Sequence, residues 1–247
     1  MRRRDLDQPN VIAGDMMIEA VGLDADDTLW ENERFFRLTE SGFAGLLADH
    51  GDPDQISRRL HDVERRNLSR YGFGIKGFTL SMVQTAIELT DGRVPGSVIG
   101  QILDLGYEML SHPLHLLDGV PEALGMLEGR RLILITKGDL MDQERKVAAS
   151  GLAGRFEAIE IVADKTPAAY ARVLTRHDIA PERFLMAGNS VKSDILPVLE
   201  LGGRAALIPH ELTWQVERDD DPDHPQFHRL GSISDLPGLI ERIEARG

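Results

Sequence analysis

With 247 residues, 42% of them hydrophobic, the chain has room for one core domain and an insertion, but not for two full-sized domains. A formal charge of -13 excludes nucleic acid and anionic membrane as principal partners, and the lack of cysteine excludes disulfides, thiolate nucleophiles and cysteine-held metals. No run approaches the ~18 apolar residues of a membrane span, and the basic start M-R-R-R precedes no apolar signal segment, so a cytoplasmic protein with a disordered tail over residues 1–15 is expected.

The first apolar run, Ile18 to Leu23, reads as a buried strand and ends in Asp24, Ala25, Asp26, Asp27 and Thr28. Carboxylates this close repel one another unless a cation neutralises them, which marks a candidate active site. Asp24 and Asp26 are two apart, so a continuing strand aims both to one face, where Mg2+ would be shared with a substrate phosphate. The competing reading is a helix N-cap made by Asp27 or Thr28.

From Trp30 to about Pro113 the pattern turns helical, through Phe35, Phe36, Leu38, Phe43, Leu46 and Leu47, then Met82, Val83, Ala86 and Ile87, then Ile99, Ile102, Leu103 and Leu110. Residues 31–113 are expected to form a helical cap over the acidic strand end. Residues 16–30 and 114–247 would form the core domain, with hinges at Trp30 to Glu33 and Pro113 to Gly119. The string Gly72-Phe73-Gly74-Ile75-Lys76-Gly77 matches a dinucleotide fingerprint, but polar Arg65, Arg66, Asn67, Ser69 and Arg70 precede it where an apolar strand is needed. It is read as a cap loop, with Arg70, Tyr71 and Lys76 offered to the distal part of a substrate.

Four more apolar runs follow: Arg131 to Thr136, Ala158 to Val162, Arg183 to Ala187 and Ala205 to Ile208. Helical stretches separate them. Asp139 caps one whose Leu140, Val147 and Ala148 share a face and which stops at Gly151; Thr166-Pro167 opens another with Tyr170, Val173 and Leu174 inward. Alternation of strand and helix implies α/β architecture, a doubly wound parallel sheet with ligands at the carboxyl ends of its strands.

Those strand ends carry D-A-D-D-T at Asp24, I-T-K-G at Ile135, D-K-T-P at Asp164 and G-N-S-V-K-S-D at Gly188. In order and spacing the set resembles the four motifs of the haloacid dehalogenase-like superfamily, from Val21 to about Pro209. The resemblance implies a Rossmann-like core, Mg2+ as cofactor, and hydrolysis of a small phosphate monoester through an aspartyl-phosphate. It makes Asp24 the nucleophile and Asp26 the general acid and base, a residue that the superfamily's dehalogenases lack. Thr136, Lys137 and Gly138 would bind the phosphoryl group and Lys165 would balance its charge. Asp24, Asp26, Asn189 and Asp194 would hold the metal, with the amide of Asn189 standing where most members have an acid. Pro197 is tolerated only in a first helical turn, which puts Asp194 at an N-cap.

The partner is accordingly a small phosphorylated metabolite, and the aromatic-bearing cap helices offer a face for a homodimer. A phosphomutase on a sugar phosphate, and a non-catalytic binding or regulatory protein with a metal site weakened by Asn189, are the alternative readings.

Overall fold

The computed structural model describes residues 17–212, 214, 217 and 219–246, so the tail expected over residues 1–15 lies outside the described residues. Strand β1 (Ala20–Leu23) is followed by four helices, α1 (Glu33–Leu46), α2 (Pro53–Tyr71), α3 (Ile75–Leu89) and α4 (Gly96–Ser111), and then by α5 (Val120–Met126). The chain continues through β2 (Arg131–Lys137), α6 (Leu140–Ser150), β3 (Ala158–Val162), α7 (Pro167–Arg176) and β4 (Phe184–Gly188). It ends with α8 (Leu196–Glu200), β5 (Arg204–Leu207), β6 (Phe227–Arg229) and α9 (Leu236–Glu244).

All strand pairings are parallel and the sheet order is β3-β2-β1-β4-β5-β6. Helices cover both faces, which is why β1 and β4 are buried along their whole length and read as continuous apolar runs. Val21, Leu23, Leu132, Leu134 and Leu185 pack on one side with α5 and α9; Ala20, Ile133, Ile135, Phe184 and Met186 pack on the other with α7. The strand order reverses between β1 and β4, and Asp24 and Asp194 emerge on either side of that crevice, where open parallel sheets bind ligands.

Helices α1 to α4 have an apolar core of their own, centred on Phe43, Leu47, Ile56, Leu60, Met82 and Ile102. Leu38, Ile87 and Leu103, which the helical pattern puts inward, are instead exposed. The two segments joining this bundle to the sheet run side by side: Leu117 N-H donates to Leu29 O, Glu31 N-H donates to His115 O, and Trp30 bridges Leu116.

Local punctuation follows the sequence in most places. Asp139 accepts from Asp142 N-H to cap α6, Gly151 ends that helix at φ +68°, and Thr166 accepts from Ala169 N-H to cap α7. Leu140 is a correction, since it is 57% exposed at the open end of α6 while Asp142 and Gln143 are buried. The helix after β4 also differs from expectation. A π-helical turn over Val191–Ile195 precedes α8, with Ser190 as its cap through Ser193 N-H, so Asp194 sits inside the turn and caps nothing. Its side chain is thereby released for the site. Among the described residues no helix is long and apolar enough to cross a membrane.

Candidate active site

The strand ends and the cap enclose one cleft, lined by Asp24, Asp26, Thr136, Lys137, Gly138, Lys165, Asn189 and Asp194 from the core side. The central feature is a buried lysine between two carboxylates. Lys165 Nζ lies 2.5 Å from Asp24 Oδ1 and 2.6 Å from Asp194 Oδ1. Thr28 Oγ1 donates to Asp24 Oδ2 at 2.8 Å, and Ser190 N-H donates to Asp194 Oδ2 at 2.9 Å, so all four oxygens are directed. A Cβ on Gly188 would overlap the Asp194 carboxylate, which explains glycine at this strand end.

Burial pushes the Asp24 carboxyl up to about 6, a rise that the Asp194 charge adds to and the Lys165 ammonium opposes. For Lys165 burial favours the neutral amine, but Asp194 and Asp24 outweigh it and hold the group well above the usual lysine value. Two carboxylates sharing one ammonium leave a net negative charge in a buried place. That charge, the oxygen donors of Asp24, Asp26, Asn189 and Asp194 and the absence of sulfur suit a hard divalent cation such as Mg2+. Among the described residues no three His, Cys, Asp or Glu side chains are grouped to hold an ion, so a cation here would also need the Asn189 amide and main-chain oxygen.

Asp26 is held by residues that no motif announced. Trp30 Nε1 donates to Asp26 Oδ1 at 2.7 Å, Gln143 Nε2 to Oδ2 at 2.8 Å, and Lys146 Nζ reaches both oxygens at 3.0 Å. Lys146 Nζ also donates to Asn32 Oδ1 at 2.7 Å, linking this carboxylate to the start of the cap. Gln143 and Lys146 are three apart on α6 and so share a helix face, a spacing that was readable once α6 was placed beside the site. Asp27 serves structure: it adopts φ +60° and accepts from the N-H groups of Asn32 and Glu33 at the start of α1, and burial pushes its carboxyl up to about 7.

The remaining expected residues lie at the cleft, each with a partner within the protein. Thr136 Oγ1 donates to Gln143 Oε1 at 3.2 Å. The N-H of Gly138 is engaged by Val162 O at 3.2 Å, so this residue brings close approach of the backbone more than an anion donor. Lys137 Nζ is 2.5 Å from Glu217 Oε1, 2.8 Å from Ser193 Oγ and 4.2 Å from the centre of the Phe73 ring. Glu217 also accepts from Ser190 Oγ at 2.6 Å; burial disfavours its charge, yet Lys137 and the two serines hold its carboxyl below the usual glutamate value.

From the cap, the Gly72 to Gly77 segment does reach the cleft, but through Phe73, which meets Trp214 edge-on at 6.3 Å between centroids. Gly77 packs so closely on Gly72 O that a Cβ there would stand at 2.8 Å, the local reason for glycine in this string. Arg70 and Tyr71 do not line the cleft, and Lys76 is paired with Asp139 at 3.0 Å. Their expected meeting with substrate is thus replaced by a cap-to-core ion pair.

Comparison with known proteins agrees with this architecture. A solved haloacid dehalogenase-like family hydrolase from Xanthomonas campestris is 40% identical, with a TM-score of 0.84 over 95% of this chain and 94% of that one. A glyceraldehyde 3-phosphate phosphatase from Methanothermobacter thermautotrophicus is 28% identical over 82% of this chain and 90% of its own length. L-2-haloacid dehalogenase from Xanthobacter autotrophicus shares the fold, with a TM-score of 0.65 at 19% identity over 91% of this chain and 99% of that one. The family model for haloacid dehalogenase-like hydrolases matches residues 18–202, and the chain belongs to that family.

Proposed function

We propose that the protein is a Mg2+-dependent phosphatase of small phosphate monoesters. The observation that carries the reading is the Lys165 ammonium set between Asp24 and Asp194 at the carboxyl end of a parallel sheet, with Asp26 and Thr136 in the same cleft. The name of the Methanothermobacter relative, a phosphatase of a three-carbon phosphate, points the same way.

An Asp24 oxygen attacks phosphorus, forming the aspartyl-phosphate as the ester P-O bond breaks, and Asp26 supplies the proton to the departing alkoxide. Asp26 then takes a proton from water, which attacks phosphorus and releases inorganic phosphate and free Asp24. Held as an acceptor by Trp30, Gln143 and Lys146, Asp26 is aimed for the second of these transfers. Lys165 fixes the attacking carboxylate and offsets phosphoryl charge, while Thr136 can turn its hydroxyl from Gln143 to a phosphoryl oxygen. Asp24, the Asp26 carbonyl, Asn189 and Asp194 would hold Mg2+, which supplies electrostatic stabilisation of the transferring group.

The test is product analysis. Purified protein with Mg2+ and glyceraldehyde 3-phosphate or simple alkyl phosphates should release inorganic phosphate, and chelation should stop it. Isomerised ester without phosphate release would identify a phosphomutase, and no turnover with unaltered Mg2+ binding would identify a binding protein.

A further inference from the structure

One face of α6 joins the Asp26 carboxylate to the Thr136 hydroxyl. Gln143 and Lys146 both line the cleft from this face, Gln143 fully buried and the Lys146 side chain only 12% exposed. The Gln143 amide is engaged at both ends: Oε1 accepts from Thr136 Oγ1 at 3.2 Å, while Nε2 donates to Asp26 Oδ2 at 2.8 Å and to Lys137 O at 3.4 Å. Two acceptors facing Nε2 decide which end of the amide meets Asp26. Lys146 Nζ reaches both Asp26 oxygens at 3.0 Å and donates to Asn32 Oδ1 at 2.7 Å, and Asp142 Oδ2 stands 3.6 Å from it, one turn back on α6. With Trp30 Nε1 on Oδ1, every direction of the Asp26 carboxylate is set by donors on buried or half-buried residues.

A second observation comes from the backbone. Gly138 lies at φ +142°, and a Cβ there would stand 3.1 Å from Gln143 Nε2, so glycine leaves the space through which the amide reaches Asp26. Stability alone explains these residues less well. A buried lysine beside a carboxylate gains little net energy, because desolvation offsets the attraction, and an apolar side chain of similar size would hold α6 in place equally. What an apolar side chain cannot do is aim both oxygens of a carboxylate that must come within hydrogen-bond reach of a leaving oxygen.

We propose that Gln143 and Lys146 are positioning residues for protonation of the leaving group: they set the direction of the Asp26 carboxylate relative to the phosphoryl group that Thr136 receives. The inference rests on the phosphatase reading and adds two residues to its proton-transfer step. Gln143 measures the separation between hydroxyl and carboxylate through a single rigid amide. When the Thr136 hydroxyl turns to a phosphoryl oxygen, Gln143 Nε2 stays on Asp26, so phosphoryl binding does not release the carboxylate. Lys146 fixes the same group from the opposite side and ties it to Asn32, at the start of the cap.

The test compares butyl phosphate, whose alkoxide needs a proton to depart, with 4-nitrophenyl phosphate, whose phenolate does not, at fixed Mg2+. Because kcat/KM covers the steps up to departure of the alcohol, the butyl-to-nitrophenyl ratio of kcat/KM isolates protonation from hydrolysis of the aspartyl-phosphate. Measured in one sample, it is also independent of the folded fraction. Asp26→Asn sets the scale by lowering this ratio about a hundredfold. Lys146→Met and Gln143→Leu should each lower it by about tenfold, and Lys146→Met added to Asp26→Asn should lower it no further. A ratio left unmoved by any one of the three single replacements, as when both esters lose equally, or a further fall in the double variant, would overturn the inference and leave the phosphatase standing. Release of phosphate from neither ester by the parent protein would overturn the phosphatase reading itself.

Discussion

On the core side of the cleft Lys165 bridges Asp24 and Asp194 from two strand ends, Lys146 joins Asp26 to Asn32 and Lys137 joins Ser193 to Glu217, whereas on the cap side Glu33, Glu40 and Glu64 face the cavity beside His61 and two aromatic rings. The first region is an electrostatic network in which each charge is fixed by its neighbours. The second is acidic and is answered in part within the cap, by His61 at 3.4 Å from Glu40 and Arg37 at 3.4 Å from Glu33. Groups that must keep one geometry through a bond-making step gain from rigid strands and full hydrogen bonding, while acids crowded in a half-buried place raise one another's proton affinity.

Substitution at the nucleophile gives the largest expected effect on the core side. Asp24→Asn should reduce phosphate release to about one ten-thousandth or less, with the circular dichroism spectrum unchanged. Measurable hydrolysis by a pure sample would break the covalent route.

Lys165→Met strands two buried carboxylates, and losing one side of a buried ion pair costs about 3–5 kcal/mol. Urea unfolding without Mg2+ should register a loss of that order, and an unchanged midpoint would show that the network adds no stability.

The cap side should respond in the opposite sense. Glu64 ionises more readily unfolded than folded, so between about 4.5 and 7 the folded state holds the extra proton and this group's contribution to stability falls as pH rises. Glu64→Gln should therefore raise the melting temperature at pH 8 by a few degrees and leave it nearly unchanged at pH 5. A variant that melts lower at pH 8 would remove the contrast between the two regions.

The smallest effect is expected where the two regions touch through solvent. The Lys76 to Asp139 pair is half-exposed, so Lys76→Ala should cost less than about 1 kcal/mol in unfolding and leave kcat near that of the parent. A large fall in kcat would make this pair a control on closure.

Reading the chain alone placed much of the sheet. Five strands were visible as short apolar runs because both faces of the sheet are covered by helices and each strand is accordingly apolar. The sixth, β6, was not, since its three residues lie at the sheet edge, half-exposed and without a periodic signal. Asp139 and Thr166 were legible as caps because capping is local; Asp194 was misread because the π-helical turn that starts at Ser190 has no sequence signature as strong as Pro197. Glu33, Glu40 and Glu64 belong to no motif and had no signal of their own in the sequence. Glu33 and Glu40 are seven apart and so share a helix face, but periodicity does not tell a face turned to water from one turned to a cleft.

By itself the sequence determined the strand ends and the residue types available there: carboxylates at Asp24, Asp26 and Asp194, a hydroxyl at Thr136, an ammonium at Lys165. These follow from patterns a few residues long, written by burial and by backbone hydrogen bonding. Only the tertiary structure decided which charges meet. It put Lys165 between Asp24 and Asp194, turned Lys146 onto Asp26, gave Lys137 to Glu217, and set Glu64 facing the cleft within reach of the His61 charge. Coulomb energy depends on distance and dielectric, and for residues 29 to 141 positions apart both are set by the fold.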